Sequence, residues 1–133
     1  MPQIICYVTI FAIFAVIDFA WLVAMGPRLF RPTLGDILLA EINIVPAIVF
    51  YLIFPVGLMV FAVQPALKSA MLLHAMGLGA LFGFLAYATY DLTNLATLRN
   101  WTVTLAAIDI VWGTMLSAVA AGAGYLATTR LGD

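Results

Sequence analysis

Two aspartates lie inside apolar stretches of this chain, and each is followed three residues later by a tryptophan. Both segments read Ile-Asp-x-x-Trp, at residues 17–21 and 108–112. Residues three apart share a helix face, so Asp18 and Asp109 should each have an indole beside them, Trp21 and Trp112. A carboxylate at the middle of a membrane helix costs about 2.5 to 3.5 kcal/mol on insertion scales. Two such carboxylates indicate either buried structural partners or a polar site.

A second polar cluster runs from Tyr87 to Asn94. Tyr87, Asp91 and Asn94 have the spacing i, i+4, i+7, so they share one face of a helix. In steps of four towards the N-terminus, the same face continues as Gly83 and Gly79, two small residues that permit close helix approach. We expect the other helices to gather around this face.

The last apolar segment has a matching face of small residues. Gly113 and Ser117 are four apart, and we expect them to pack against the groove formed by Gly79 and Gly83.

The residue types available for catalysis or metal binding are few. Carboxylate and amide oxygens suit Mg²⁺ or Mn²⁺. The residues that could offer them are Asp18, Glu41, Asp91, Asn94 and Asp109. Their spacing matches no metal motif, so we predict no metal ion and no cofactor. The sequence has no Ser–His–Asp arrangement, phosphate loop or Cys/His cluster, and leaves open whether the protein is an enzyme. Cys6 and His74 are interpreted as packing residues.

Composition places the chain in a membrane. Of its 133 residues 66% are hydrophobic and only 8% are charged, with a mean hydropathy of +1.19. A soluble domain has about a quarter charged residues. The net charge of −1 comes without a basic run, which argues against nucleic acid as a partner. The N-terminus lacks a basic region and a cleavage site, so the first helix is expected to be retained.

The hydropathy pattern predicts an all-α, integral membrane four-helix bundle formed as a single transmembrane domain over residues 1–133. The predicted spans are 4–25, 37–63, 66–95 and 101–128. Pro46 and Pro55 predict a kinked second helix. Gly26-Pro27 and Gln64-Pro65 are expected to end the first two spans, and Asp36 and Asn100 are expected helix caps. Trp101 is an expected interfacial anchor.

Four alternating spans bring the polar residues to one membrane face. Asp18 and Asp109 both lie roughly 10–12 Å below that face at 1.5 Å per residue. Every other acid except Asp133 maps to the same side. Because the first and fourth helices run in opposite directions, we expect Trp21 and Trp112 to lie at different depths. The basic residues are divided evenly between the faces, so the positive-inside rule does not orient the chain.

The string Tyr-Asp-Leu-Thr-Asn-Leu-Ala-Thr at residues 90–97, with Trp101, Asp109-x-x-Trp112-Gly113 and Asp18-x-x-Trp21, resembles the domain-of-unknown-function 2177 family of small bacterial membrane proteins. The resemblance implies a four-span protein of the bacterial inner membrane, with no established activity. It also implies a link to lipid modification, since the genes of such proteins lie near lipid-modifying enzymes. The implied signature positions are Asp18, Trp21, Tyr90, Asp91, Asn94, Asp109 and Trp112.

Two interpretations of the acids remain. In the structural one, Asp18 and Asp109 bond to an arginine, a tyrosine hydroxyl or a freed carbonyl and lock the bundle. In the functional one, which we favour, an acid- and aromatic-lined pocket on one membrane face binds a lipid or an amphipathic small molecule, with lipid modification as one role. The candidate ligand-binding residues are Asp18, Trp21, Glu41, Asn43, Tyr87, Tyr90, Asp91, Asn94, Asp109 and Trp112.

Two other classes of function stay open. One is a proton- or cation-coupled small transporter. The other is an accessory subunit of a larger membrane complex. Expected partners are membrane lipids and an amphipathic ligand, together with a second copy of the chain or a larger membrane complex.

Overall fold

The computed structural model describes residues 1–39, 41 and 43–132, and over these residues the regular secondary structure is helical. Four helical stretches are long and apolar enough to cross a membrane. They are Pro2–Ile37, Ile44–Ser69, Leu72–Thr97 and Val103–Leu131. The predicted all-α membrane bundle is therefore confirmed.

The first span continues past its predicted end at Gly26-Pro27. Helix α1 covers Pro2–Met25 and passes through a π-helical turn, Gly26–Phe30, into the short helix α2, Arg31–Leu34. Pro27 lies in the first turn of the π-helical segment, where its missing N–H costs least. The proline therefore does not break the helix.

The second span begins later than its predicted start at residue 37. Helix α3 covers Ile44–Leu58 with Asn43 before it, so Asp36 is not its N-cap. Pro55 lies inside α3, as the sequence predicted, and a π-helical turn follows at Met59–Val63.

The predicted turn at Gln64-Pro65 is instead the start of helix α4, Gln64–Ser69. Pro65 occupies the first turn of α4, and the chain reverses at Ala70, whose φ of 58° lies in the left-handed region. The proline's missing N–H again falls where a new helical segment begins, so the turn moves beyond it.

Helices α5, Leu72–Thr97, and α6, Val103–Leu131, form the other two spans. Thr102, not Asn100, caps α6 by accepting a hydrogen bond from the Leu105 amide at 3.1 Å. Trp101, the expected interfacial anchor, is buried in a small cluster with Leu105.

Asn100 joins the connection between α5 and α6 to the part of the chain that follows α2. Its Nδ2 donates to the carbonyl of Leu34 and to Oδ1 of Asp36, each at 3.0 Å. Its φ of 70° is in the left-handed region, which asparagine tolerates better than most residues.

Helix α6 packs against both α5 and α1. A Cβ at Gly79 would lie 2.6 Å from Cβ of Ala121, and one at Gly83 would collide with the side chain of Ser117. On the α1 side, a Cβ at Gly124 would lie 2.7 Å from Cγ1 of Ile10. Small residues therefore set the close approach of α6 to both neighbours.

Candidate functional site

Asp18 joins three helices through its carboxylate. Its Oδ2 accepts a hydrogen bond from the hydroxyl of Tyr51 on α3 at 2.5 Å. Its Oδ1 accepts one from Nε1 of Trp112 on α6 at 3.0 Å. Asp18 is only 8% exposed, so both bonds lie where water does not compete strongly. This is the structural interpretation of Asp18, with a tyrosine hydroxyl as the partner.

The indoles of Trp21 and Trp112 stack, with ring centroids 4.2 Å apart and an interplanar angle of 9°. The prediction that they lie at different depths was wrong. Helical side chains lean towards the N-terminus of their own helix. On the antiparallel helices α1 and α6 the two indoles therefore lean towards each other, which closes the offset between their Cα positions.

Asp91 on α5 is completely buried, at 0% exposure. Its carboxyl lies beside that of Asp109 and beside the indole of Trp101. Among the described residues neither of its oxygens accepts a hydrogen bond of regular geometry, and Nε1 of Trp101 donates none. Asp91 and Asp109 thus form a buried carboxyl pair between α5 and α6.

A cavity of about 510 Å³ opens beside these acids, among α1, α3, α5 and α6. Two carboxyls line it, Asp18 and Asp109. Most of the remaining wall is aromatic and comes from Trp21, Phe30, Phe50, Tyr51, Tyr87 and Tyr90. Small and aliphatic side chains complete it: Leu22, Ala47 and Ala86.

The rim of the cavity is accessible from outside the bundle. Tyr90 is 54% exposed and Leu22 is 44% exposed, although both also line the cavity. On α3, Ile48 and Val49 lie between the wall residues Ala47 and Phe50 in the sequence, and both are exposed apolar side chains of the kind that face lipid. A molecule with an apolar chain could therefore enter from the hydrocarbon layer.

The structure brings only part of the predicted site together. Asp18, Trp21, Tyr87, Tyr90 and Asp109 line the cavity. The other candidates lie elsewhere. Trp112 acts through Asp18, Asp91 lies behind Asp109, Asn94 is half-buried away from the cavity, and Glu41 and Asn43 are exposed on the connection before α3.

Sequence reasoning missed the contribution of α3. Tyr51 supplies the hydroxyl that Asp18 needs, and Phe50 extends the aromatic wall. The available signal was the buried aspartate itself, because a buried carboxylate must find a donor and a tyrosine hydroxyl can supply one. The sequence did not show which tyrosine would lie beside it.

The helix-packing glycines also shape the cavity wall. A Cβ at Gly113 on α6 would collide with the ring of Tyr87, so the glycine makes room for that ring. Gly83 and Ser117 hold α5 and α6 close together on the same side. Tyr87 is consequently positioned by the contact between the two helices.

Cationic side chains are absent from the cavity wall among the described residues. Arg28, Arg31 and Arg99 are exposed. Within the described part of the chain, no group of three or more histidine, cysteine, aspartate or glutamate side chains could hold a metal ion. The fixed chemistry of the cavity is therefore acidic carboxyls, phenol hydroxyls and aromatic faces.

Comparison with known proteins gives one result that covers almost the whole chain. The family model described as predicted membrane protein (DUF2177) matches residues 3–126. Neither the comparison with curated proteins nor the comparison with solved structures gives a match. With four helices able to span a bilayer, the chain is a multi-pass membrane protein, and it belongs to the DUF2177 family of predicted membrane proteins.

Proposed function

We propose that this protein binds a lipid or another amphipathic small molecule in the cavity beside Asp18 and Asp109. We place this activity in the bacterial inner membrane, as the resemblance of residues 90–97 to DUF2177 proteins implies. The observation that carries the proposal is the cavity itself, which has a volume of about 510 Å³ and combines a mostly aromatic wall with two carboxyls. Ligand sites commonly have such apolar walls with a few polar groups.

In this proposal, some residues hold the cavity wall in place and others contact the ligand. Tyr51 and Trp112 hold Asp18, and the stack with Trp112 holds Trp21. Asp109 and Tyr90 also line the cavity, where Asp109 is backed by the carboxyl of Asp91 and Tyr90 packs edge-on against Trp101. A polar end would bind near Asp109, while an apolar chain would lie along the aromatic wall and leave past Leu22 towards lipid.

Native mass spectrometry with lipid analysis of the purified protein tests the proposal. Ala86 lines the cavity, so Ala86→Trp fills it, whereas Ala96 on the same helix is exposed and outside it. We expect a discrete co-purifying molecule with the wild type and Ala96→Trp, and its loss in Ala86→Trp. The same molecule retained equally by all three proteins would refute binding in this cavity.

A transport role would give a different result. It predicts solute movement into sealed vesicles that depends on a pH gradient, whereas binding predicts retention of the molecule in detergent with no gradient present.

A further inference from the structure

We propose that the molecule bound in this cavity carries a positively charged amine or ammonium group, held by Asp109 and the surrounding aromatic rings. This inference rests on the proposed function and specifies its ligand class. It concerns the polar end of the ligand, which is the part that distinguishes one amphipathic molecule from another.

The first support is the sign of the charge. The cavity is lined by two carboxyl groups, those of Asp18 and Asp109, and by no lysine or arginine of the described chain. A phosphate or carboxylate head group would find no counter-charge there and would meet groups of its own sign. A cationic head group would find complementary charge, which is how such sites reject the wrong ligand.

The second support is that the two acids are not equivalent. Each oxygen of Asp18 accepts a hydrogen bond, from Tyr51 and Trp112. Asp109 is 6% exposed and lines the cavity, and the carboxyl of Asp91 lies close enough to hydrogen bond to it from the side away from the cavity. The side of Asp109 that faces the cavity can accept further hydrogen bonds, and a protonated primary amine brings up to three N–H donors.

The third support is the aromatic wall. A cation is attracted to the face of tryptophan, tyrosine or phenylalanine, and such rings form the cages that bind quaternary ammonium groups. Trp21, Tyr87 and Tyr90 come from two different helices and line the same cavity as Asp109. Trp21 is fixed by its stack on Trp112, so this part of the wall is formed before any ligand binds.

The test compares two probes with the same tail, dodecylammonium and dodecyl phosphate, by titration of the purified protein at neutral pH in a neutral maltoside detergent. We expect the ammonium probe to bind at least about tenfold more tightly, an affinity gap of about 1.4 kcal/mol. Asp109→Asn should abolish this preference. Glu41→Gln removes an equal charge outside the cavity and should keep it.

The outcomes separate this inference from the proposed function. Equal or tighter binding of dodecyl phosphate to the wild type, lost in Ala86→Trp, would overturn the cationic head group while leaving the cavity as a binding site. Binding of neither probe, together with no co-purifying molecule, would overturn both. The wild-type comparison needs no variant, so a poorly folded Asp109→Asn protein would not prevent the decision.

The same chemistry could come from an amine-bearing phospholipid or from a free alkylamine, and a competition assay distinguishes them. Nanodiscs of phosphatidylethanolamine that displace the ammonium probe would identify a lipid head group. Failure of that lipid to compete, with probe binding intact, would identify a free amphipathic amine. Equal displacement by phosphatidylglycerol, whose head group has no amine, would contradict the inference.

Discussion

Trp112 on α6 donates its indole N–H to Asp18 on α1 at 3.0 Å, although the sequence associates each of these residues with a different partner. Both belong to an Ile-Asp-x-x-Trp segment, and the spacing suggests that each aspartate lies beside its own tryptophan. In the folded chain the tryptophan of the second segment donates its hydrogen bond to the aspartate of the first. The two indoles then stack at 4.2 Å, which ties α1 to α6 next to the cavity.

The hydrogen bond between Tyr51 and Asp18 should make a measurable contribution to stability. A double-mutant cycle of Tyr51→Phe and Asp18→Ala should give a coupling of about 1–3 kcal/mol, because the acceptor is a buried carboxylate. The free energy of unfolding is measured by titration with sodium dodecyl sulfate, followed by circular dichroism. Tyr7→Phe is the matched control, since the Tyr7 hydroxyl donates to the carbonyl of Leu52 at 2.7 Å and not to a carboxylate. A coupling indistinguishable from zero would remove Asp18 as the link between α1 and α3.

The stacked indoles should give an exciton couplet in the far-ultraviolet circular dichroism spectrum. Trp21→Leu and Trp112→Leu should each abolish it, because the signal needs both rings at close distance. Trp101→Leu should preserve it, since Trp101 packs edge-on against Tyr90 instead. A couplet that survives Trp21→Leu would show that the stack is not its source.

Close approach of α5 and α6 should make Gly83 intolerant of a side chain. A Cβ there would collide with Ser117 and lie 2.6 Å from the carbonyl oxygen of Gly113. Gly83→Leu should lower the free energy of unfolding by about 1–3 kcal/mol through overpacking. At Gly77, on the same helix, a Cβ would have no heavy atom within 4 Å. Gly77→Leu should therefore be tolerated, and equal effects at the two positions would argue against this helix contact.

The wall of the cavity should respond to a substitution outside it. Gly113→Ala places a methyl group where the ring of Tyr87 lies, so Tyr87 must move. We expect the affinity for the dodecylammonium probe to fall by about fivefold, equivalent to about 1 kcal/mol. Gly122→Ala is the control on the same helix, because its methyl group would meet the flexible Cγ of Met76 at 3.0 Å. Unchanged probe affinity in Gly113→Ala would show that Tyr87 does not contribute to binding.

Asn100 lies just before α6 and holds this part of the chain against the end of α2. Asn100→Ala and Asn100→Gly both lose the bonds to Leu34 and Asp36, but only glycine accepts a φ of 70° without steric cost. The alanine variant should therefore be less stable than the glycine variant by about 1 kcal/mol in the same detergent titration. Equal stability of the two would mean that the left-handed backbone at this position carries no cost.

The properties that depend only on position along a helix, such as the depth of a residue and the face it lies on, follow from the sequence alone. Hydropathy determines that the chain forms apolar helices, because about 20 apolar residues are enough to cross a bilayer. The fixed rise of the helix puts Asp18 and Asp109 at a similar depth, and both line the same cavity. The glycine spacing on α5 and the small residues on α6 likewise predict a close contact, because a helix face follows from residue spacing.

The prolines show that a local sequence pattern does not determine where a helix ends. Pro27 and Pro65 each predict the end of a helix, yet each lies in the first turn of a new helical segment. A proline forbids one hydrogen bond but does not determine whether the chain turns or continues, since neighbouring helices and π-helical turns can accommodate the lost bond. For the same reason, helix propensities alone did not predict that α3 starts at Ile44, which leaves Glu41 on the connection before α3.

Only the tertiary structure decided which polar residues meet. Depth is determined by position along a helix, but the partner of a side chain depends on how neighbouring helices are rotated and on how far each side chain leans. For that reason Tyr51 bonds to Asp18, Asp91 is sealed behind Asp109, and Asp109 is left facing the cavity. The sequence determined that acids and aromatic rings share one half of the membrane. The packing of α1, α3, α5 and α6 decided which of them form a site, because packing orients each helix about its own axis.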